Sequence, residues 1–285
     1  MAFLVIVSLL GLVFAQVYQN SAILYFAVGF SVVSALISYY FSDSITLALS
    51  QAQEVDRRAN PQLHNIVENL CIAAGLPTPK IYIIDDSAPN AFATGRDPQH
   101  AVVCVTTGIL QKLEKAELEG VIAHELSHIG NYDIRIMTLV VVLVGTITLL
   151  ADLFLRAQWL GGRRRSNNRE GGEIGQWLFI VGIIFALLSP IIATLIKLAV
   201  SRQREYLADA SGVLLTRYPE GLASALEKID QDQEPLEVAN KATAHLYIIN
   251  PLKENGHGSI GWFSSLFNTH PPIAERIKRL RDMNL

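Results

Sequence analysis

His124-Glu125-Leu126-Ser127-His128 sets two histidines four residues apart with a glutamate between them. On a helix, positions i and i+4 lie one above the other on the same face. The two imidazoles can then grip one zinc ion, and Glu125 stands where a general base is needed. The preceding stretch, Glu114 to Ala123, supplies the helix. Glu114, Glu117 and Glu119 near its start suit the positive end of the macrodipole, and Leu118, Val121 and Ile122 form an apolar stripe.

Composition adds a second constraint. Hydrophobic residues make up 51% of the 285 residues, and the mean hydropathy is +0.32, above what a water-soluble domain of this length carries. The excess falls in blocks, Phe3 to Tyr18, Ser21 to Phe41, Ile136 to Ala151 and Ile174 to Val200. At about 1.5 Å of rise per residue each spans or nearly spans a bilayer, and four transmembrane helices in two hairpins are predicted. The first block lacks the basic flank and cleavage site of a leader, and a second block follows directly, so it reads as an anchor hairpin. Cys71 and Cys104 have no CxxC spacing and read as core thiols. A net charge of -3, with no basic recognition helix, argues against a nucleic-acid partner.

The chain divides accordingly: an N-terminal membrane hairpin (1–41), a first polar part (42–135), a second membrane hairpin (136–200) and a second polar part (201–285). The first polar part holds a helix over Pro61 to Ala74, a turn at Gly75 to Pro79, and strands over Lys80 to Ile84, Ala91 to Thr94 and Ala101 to Thr106. The second is mainly helical. A hairpin between them returns the chain to the side it left, so both parts build one mainly helical, zincin-like catalytic domain with a small β-sheet. The class is an α+β membrane protein.

That topology points to the third metal ligand. The zinc helix leads into the third apolar block, and the fourth emerges into Ser201 to Asp209, so the two junctions lie side by side. Glu205 is the carboxylate nearest to hand, and a catalytic zinc takes three protein ligands with one position open. Asp209, one turn further on, shares its face and can accept a hydrogen bond from a ligating imidazole. Zinc hydrolysis also needs an oxyanion donor, for which His270 in Thr-His-Pro-Pro is the best candidate. Asn90, Ala91, Phe92 and Ala93, small or β-capable and closed by Gly95, suit an edge strand that pairs with an extended substrate.

HELSHIGNYD at 124–133, REYLAD at 204–209, NAFATG at 90–95 and THPPIAERI at 269–277 together resemble the successive signatures of the HtpX family of membrane zinc metallopeptidases. The resemblance covers nearly the whole chain. It implies a gluzincin-type endopeptidase with one zinc per chain, in a bacterial cytoplasmic membrane with the catalytic domain facing the cytosol, acting on misfolded or damaged membrane proteins. It makes His124, His128 and Glu205 the ligands, Glu125 the base, and Asn131 and Asp209 supports around them. Two other readings share these features: a prenyl-protein-processing membrane protease, and a non-catalytic scaffold stabilised by zinc. Arg156, Arg163, Arg164, Arg165 and Arg169 lie in the second hairpin's loop, which a four-span topology puts opposite the catalytic side, but Arg57, Arg58, Arg135, Lys197, Arg202 and Arg204 lie near the membrane on the catalytic side, so six face five and the positive-inside rule does not choose.

Overall fold

A computed structural model describes residues 7–8, 11–12, 15–16, 19–141, 201–232, 234–237, 243–249 and 271–283. Its first long element is helix α1, Ala22–Leu49. The apolar run ends at Phe41, but nothing in Ser42 to Leu49 breaks a helix, and the backbone continues for two more turns. Over Ala22–Phe41 this helix is apolar and long enough to cross a membrane, and almost all of it is exposed. It is the one such helix among the described residues. The blocks at 3–18 and 174–200, and most of 136–151, lie outside the description.

Three strands appear where the sequence places them, β2 (Lys80–Ile84), β3 (Ala91–Gly95) and β4 (Ala101–Thr106), joined by a two-residue strand, β1 (Gln53–Glu54). The sheet order is β1-β2-β4-β3, with β2 and β4 parallel and both outer pairs antiparallel. β3 is therefore an edge strand. Between β1 and β2 runs α2, Pro61–Ala74. Asn60 accepts the Leu63 N–H at 3.0 Å, Pro61 occupies the first turn, and Gly75 at φ 66° closes the C-terminus in the left-handed region that disfavours other residues.

Past β4 come α3 (Thr107–Lys112) and α4 (Lys115–Gly130), and the chain is again helical over 133–141. The second polar part contributes α5 (Arg202–Thr216), α6 (Pro219–Gln231), a short 3-10 turn at Ala244–Leu246 and α7 (Ile273–Arg281).

Strand alternation divides the interior in two. Ile81, Ala91, Ala93, Val103 and Val105 face a large core built with α2, α4, α5, α6 and α7. Ile84, Phe92 and Cys104 face a smaller one, closed by Met137, Val140 and Val141 and by Leu246 and Tyr247. The stretch from 136 that hydropathy assigns wholly to a membrane span thus begins with one face packed on the sheet, while Ile136 and Leu139 point outward. Helix α4 lies in the large core against the β3 side of the sheet. This sets its motif beside the edge strand.

Candidate metal centre and active site

Helix α4 begins with Glu114, whose N–H donates to Glu117 Oε2 at 2.8 Å. Glu117 also accepts from Ser224 Oγ at 2.7 Å and Lys228 Nζ at 2.8 Å, which fastens the start of α4 to α6. The helix is therefore fixed in register before the motif is reached. Every residue from Gly120 to Ile129 is buried, which explains why a polar motif sits in so apolar a sequence. His124, Glu125 and His128 are interior groups.

Helix α5 crosses α4 at contact distance because Gly212 has no side chain. A Cβ there would lie 3.0 Å from the His124 backbone nitrogen and 3.2 Å from the Ala123 carbonyl carbon. That approach brings Glu205, from the first turn of α5, to the imidazole pair. His128 Nε2 is 3.2 Å from His124 Nε2, and Glu205 oxygens lie 3.5 Å from His128 Nε2 and 3.8 Å from His124 Nε2. One donor atom from each of the three residues falls within 4.8 Å of the others, and all three residues are buried.

The outer nitrogens have carboxylate partners. His124 Nδ1 is 2.9 Å from Asp209 Oδ1, and His128 Nδ1 is 3.1 Å from Asp133 Oδ2. A proton on each Nδ1 satisfies those carboxylates and leaves both Nε2 atoms presenting lone pairs to each other and to Glu205. Two lone pairs and a carboxylate converging in a buried space fit a divalent cation, and the N2O donor set suits zinc. Asp133 also pairs with Arg204 at 3.2 Å.

Behind the cluster lies Arg276 of α7, with no solvent exposure. Its Nε and Nη2 grip the two Asp209 oxygens at 2.9 and 2.7 Å, and its Nη1 is 3.4 Å from Glu205 Oε2. Burial works to raise the Asp209 carboxyl, but the Arg276 charge and His124 outweigh it and hold Asp209 down to about 2. Burial pulls His124 below the usual imidazole range against Asp209, keeping it the neutral form that binds metals. His128 moves the other way, because Asp133, Glu205 and Glu125 overcome the same burial. Burial pushes Glu125 up to about 7 against the charge of His128; Glu205 adds to the rise, and a hydrogen bond from the Ala93 N–H opposes it.

The structure thus brings His124, Glu125, His128, Glu205 and Asp209 into one cluster. Asn131 stands apart, an exposed residue at the C-terminal cap of α4, and the carboxylate against His128 is Asp133. His270 lies outside the described residues. Asn90, Ala91, Phe92 and Ala93 are on the edge strand but buried: the Asn90 Nδ2 donates to the Ile249 carbonyl, and Phe92 packs edge-on against Tyr247 with ring centroids 5.1 Å apart. Sequence reasoning passed over Arg276 and Asp133. A signal for the arginine exists: it falls on the apolar stripe Ile273, Ile277 and Leu280, where a charge has to find an interior partner.

Known proteins resemble this chain over most of its length. Residues 57–284 match the family model described as Peptidase family M48. A protein named Protease HtpX homolog from Dictyoglomus turgidum is 54% identical over 246 residues, 86% of this chain and 77% of that protein. One of the same name from Ligilactobacillus salivarius is 42% identical over 284 residues, 99% of this chain and 94% of its own. Among solved structures, the crystal structure of S. mikatae Ste24p superposes with a TM-score of 0.51 at 21% identity; the match covers 98% of this chain and 62% of that one, and it speaks to the fold.

Proposed function

The chain belongs to peptidase family M48, among the HtpX proteases, and from that premise we propose that it is a membrane zinc endopeptidase that cleaves misfolded or damaged membrane proteins at the cytosolic face of a bacterial inner membrane. The observation that carries the reading is the convergence of His124, His128 and Glu205, with Glu125 on the same helix turn and held by the edge-strand N–H of Ala93.

His124, His128 and Glu205 would hold the ion. Bound there, zinc supplies a water of lowered pKa and polarises the scissile carbonyl. Glu125 takes the proton from the attacking water and returns it to the leaving amine. Asp209 and Asp133 keep the imidazoles in the ligating tautomer. Arg276 balances the charge of Asp209. His270 serves as the donor to the oxyanion. The apolar length of Ala22–Phe41 supports the membrane setting.

Detergent-purified protein tests the reading. Glu125→Gln retains zinc by elemental analysis and loses nearly all hydrolysis of an unfolded substrate, whereas His124→Ala and His128→Ala lose both. Equal zinc loss in all three variants would remove Glu125 from the role of base.

A further inference from the structure

Thr106 N–H donates to the Asn90 carbonyl, so by antiparallel alternation the backbone groups of Ala91, Ala93 and Gly95 turn away from β4, toward the free edge. Each of the three meets a partner there. Gly95 N–H donates to Thr138 Oγ1 at 3.2 Å and Ala93 N–H to Glu125. The Ala91 carbonyl accepts the Ile248 N–H at 3.0 Å, from a segment 157 residues further along the chain (248 minus 91).

Ile248 is held by both of its backbone groups. Its carbonyl accepts from Arg276 Nη1 at 3.1 Å, the same nitrogen that stands 3.4 Å from Glu205. One residue further, the Ile249 carbonyl accepts from Asn90 Nδ2 at 3.0 Å. An acceptor on the edge strand, a cationic donor beside the metal ligands and an amide from Asn90 together satisfy an N–H and two carbonyls of a segment that bends at residues 247–249. None of these bonds reads a side chain. Any peptide that takes the same bend offers the same groups, and one docked on this edge would lie next to Glu125 and the metal donors.

We propose that the Ala91 carbonyl, Arg276 and Asn90 form a backbone clamp for substrate, and that the chain's own Tyr247-Ile248-Ile249 occupies it in this state as a pseudo-substrate, so that the protease is self-inhibited until the segment is displaced. The proposal rests on reading β3 as the strand that docks substrate. Leaving the clamp would not strand a buried charge, because two nitrogens of Arg276 remain on Asp209. It would also free no metal ligand, since His124, His128 and Glu205 converge without the segment. Tyr247 and Ile248 are themselves buried, in the smaller and the large core respectively, so displacing the segment also uncovers the faces they pack on.

The test uses the full chain in detergent, zinc-loaded and carrying Glu125→Gln, with a fluorescent peptide copying residues 243–249. Peptide binding is read by anisotropy and hydrogen exchange of residues 243–249 by mass spectrometry. Bound peptide is expected to speed exchange in that segment at least tenfold. Adding Ile248→Pro, which deletes the competing N–H, tightens peptide binding by about fivefold, the worth of one backbone hydrogen bond. Peptide that binds with exchange unchanged or slowed shows the segment to be a fixed wall and overturns the proposal. So does an Ile248→Pro protein that keeps its zinc and binds the peptide no better, or not at all. If the wild-type protein with zinc cleaves no unfolded substrate, the peptidase reading fails by itself, and the clamp is still judged by binding and exchange in the inactive variant.

Discussion

Two aspartates hold the imidazole pair from opposite sides, and their surroundings differ. Asp209 is sealed under Arg276, whereas Asp133 pairs with Arg204, whose side chain is 31% exposed. Removing either leaves its histidine free to rotate and to change tautomer. Asp209→Ala and Asp133→Ala are each expected to weaken zinc binding by about 10 to 100-fold, with activity partly restored by excess zinc; competition against a chelator measures it. Arg276→Gln removes the counter-charge of a buried carboxylate and should cost roughly 3–5 kcal/mol of stability, visible as a large fall in the thermal midpoint, whereas a surface change such as Arg279→Gln should be nearly silent. At this scale the sequence disclosed what one helix contains. His124, Glu125 and His128 are readable because their spacing alone sets their geometry. Arg276 meets Asp209 across 67 residues, and no spacing rule spans that distance.

At the scale of elements, the metal centre depends on how closely α5 lies on α4. Gly212→Val places two methyl groups where the His124 backbone already stands. It should push the helices apart, cost about 1–3 kcal/mol, and lower zinc content by drawing Glu205 away from the histidines; elemental analysis and a thermal melt separate the two effects. The other end of α4 is sensitive to pH. Burial works to raise Glu117, but Lys228, Ser224 and the Glu114 N–H lower it overall, so its contribution is present above the ordinary carboxylate range and is lost as pH falls through its depressed pKa. Glu117→Gln should therefore lower the melting temperature at pH 7 and make little difference near pH 3. Elements with internal periodicity were legible: α2, β2, β3, β4 and α4. β1 was not, because two residues have no period, and neither was the Tyr247–Ile249 segment, whose pairing is made by main-chain atoms. The apolar block ends at Phe41, as the sequence reading has it, while α1 runs on to Leu49, because hydropathy marks where a membrane would stop and a helix continues until something breaks its hydrogen bonds.

For the whole molecule, the exposed aromatic residues of α1, among them Tyr25, Phe26, Tyr39, Tyr40 and Phe41, end where Arg96 lies 5.7 Å from the Tyr40 ring centre. On the proposed membrane setting, that arginine is expected to mark the level at which lipid gives way to the polar domain. The second hairpin is tested by thiol labelling, for which Cys71 and Cys104 are both buried and silent. If 136–200 crosses twice, Ser166→Cys reacts with an impermeant reagent outside intact cells, and Ile72→Cys, at a site 80% exposed, reacts only after the membrane is opened. Labelling of both positions only in opened cells would return the hairpin loop to the catalytic side. The partition of the metal ligands has a different consequence. His124 and His128 belong to one half of the chain and Glu205 to the other, and the halves meet through α4 against α5 and α6 and through β3 against Ile248. The proposed catalytic centre is in effect a subunit interface within one polypeptide. Two separately expressed fragments divided between 161 and 175 should find each other in the bilayer and reconstitute activity, with zinc as the bolt that joins them.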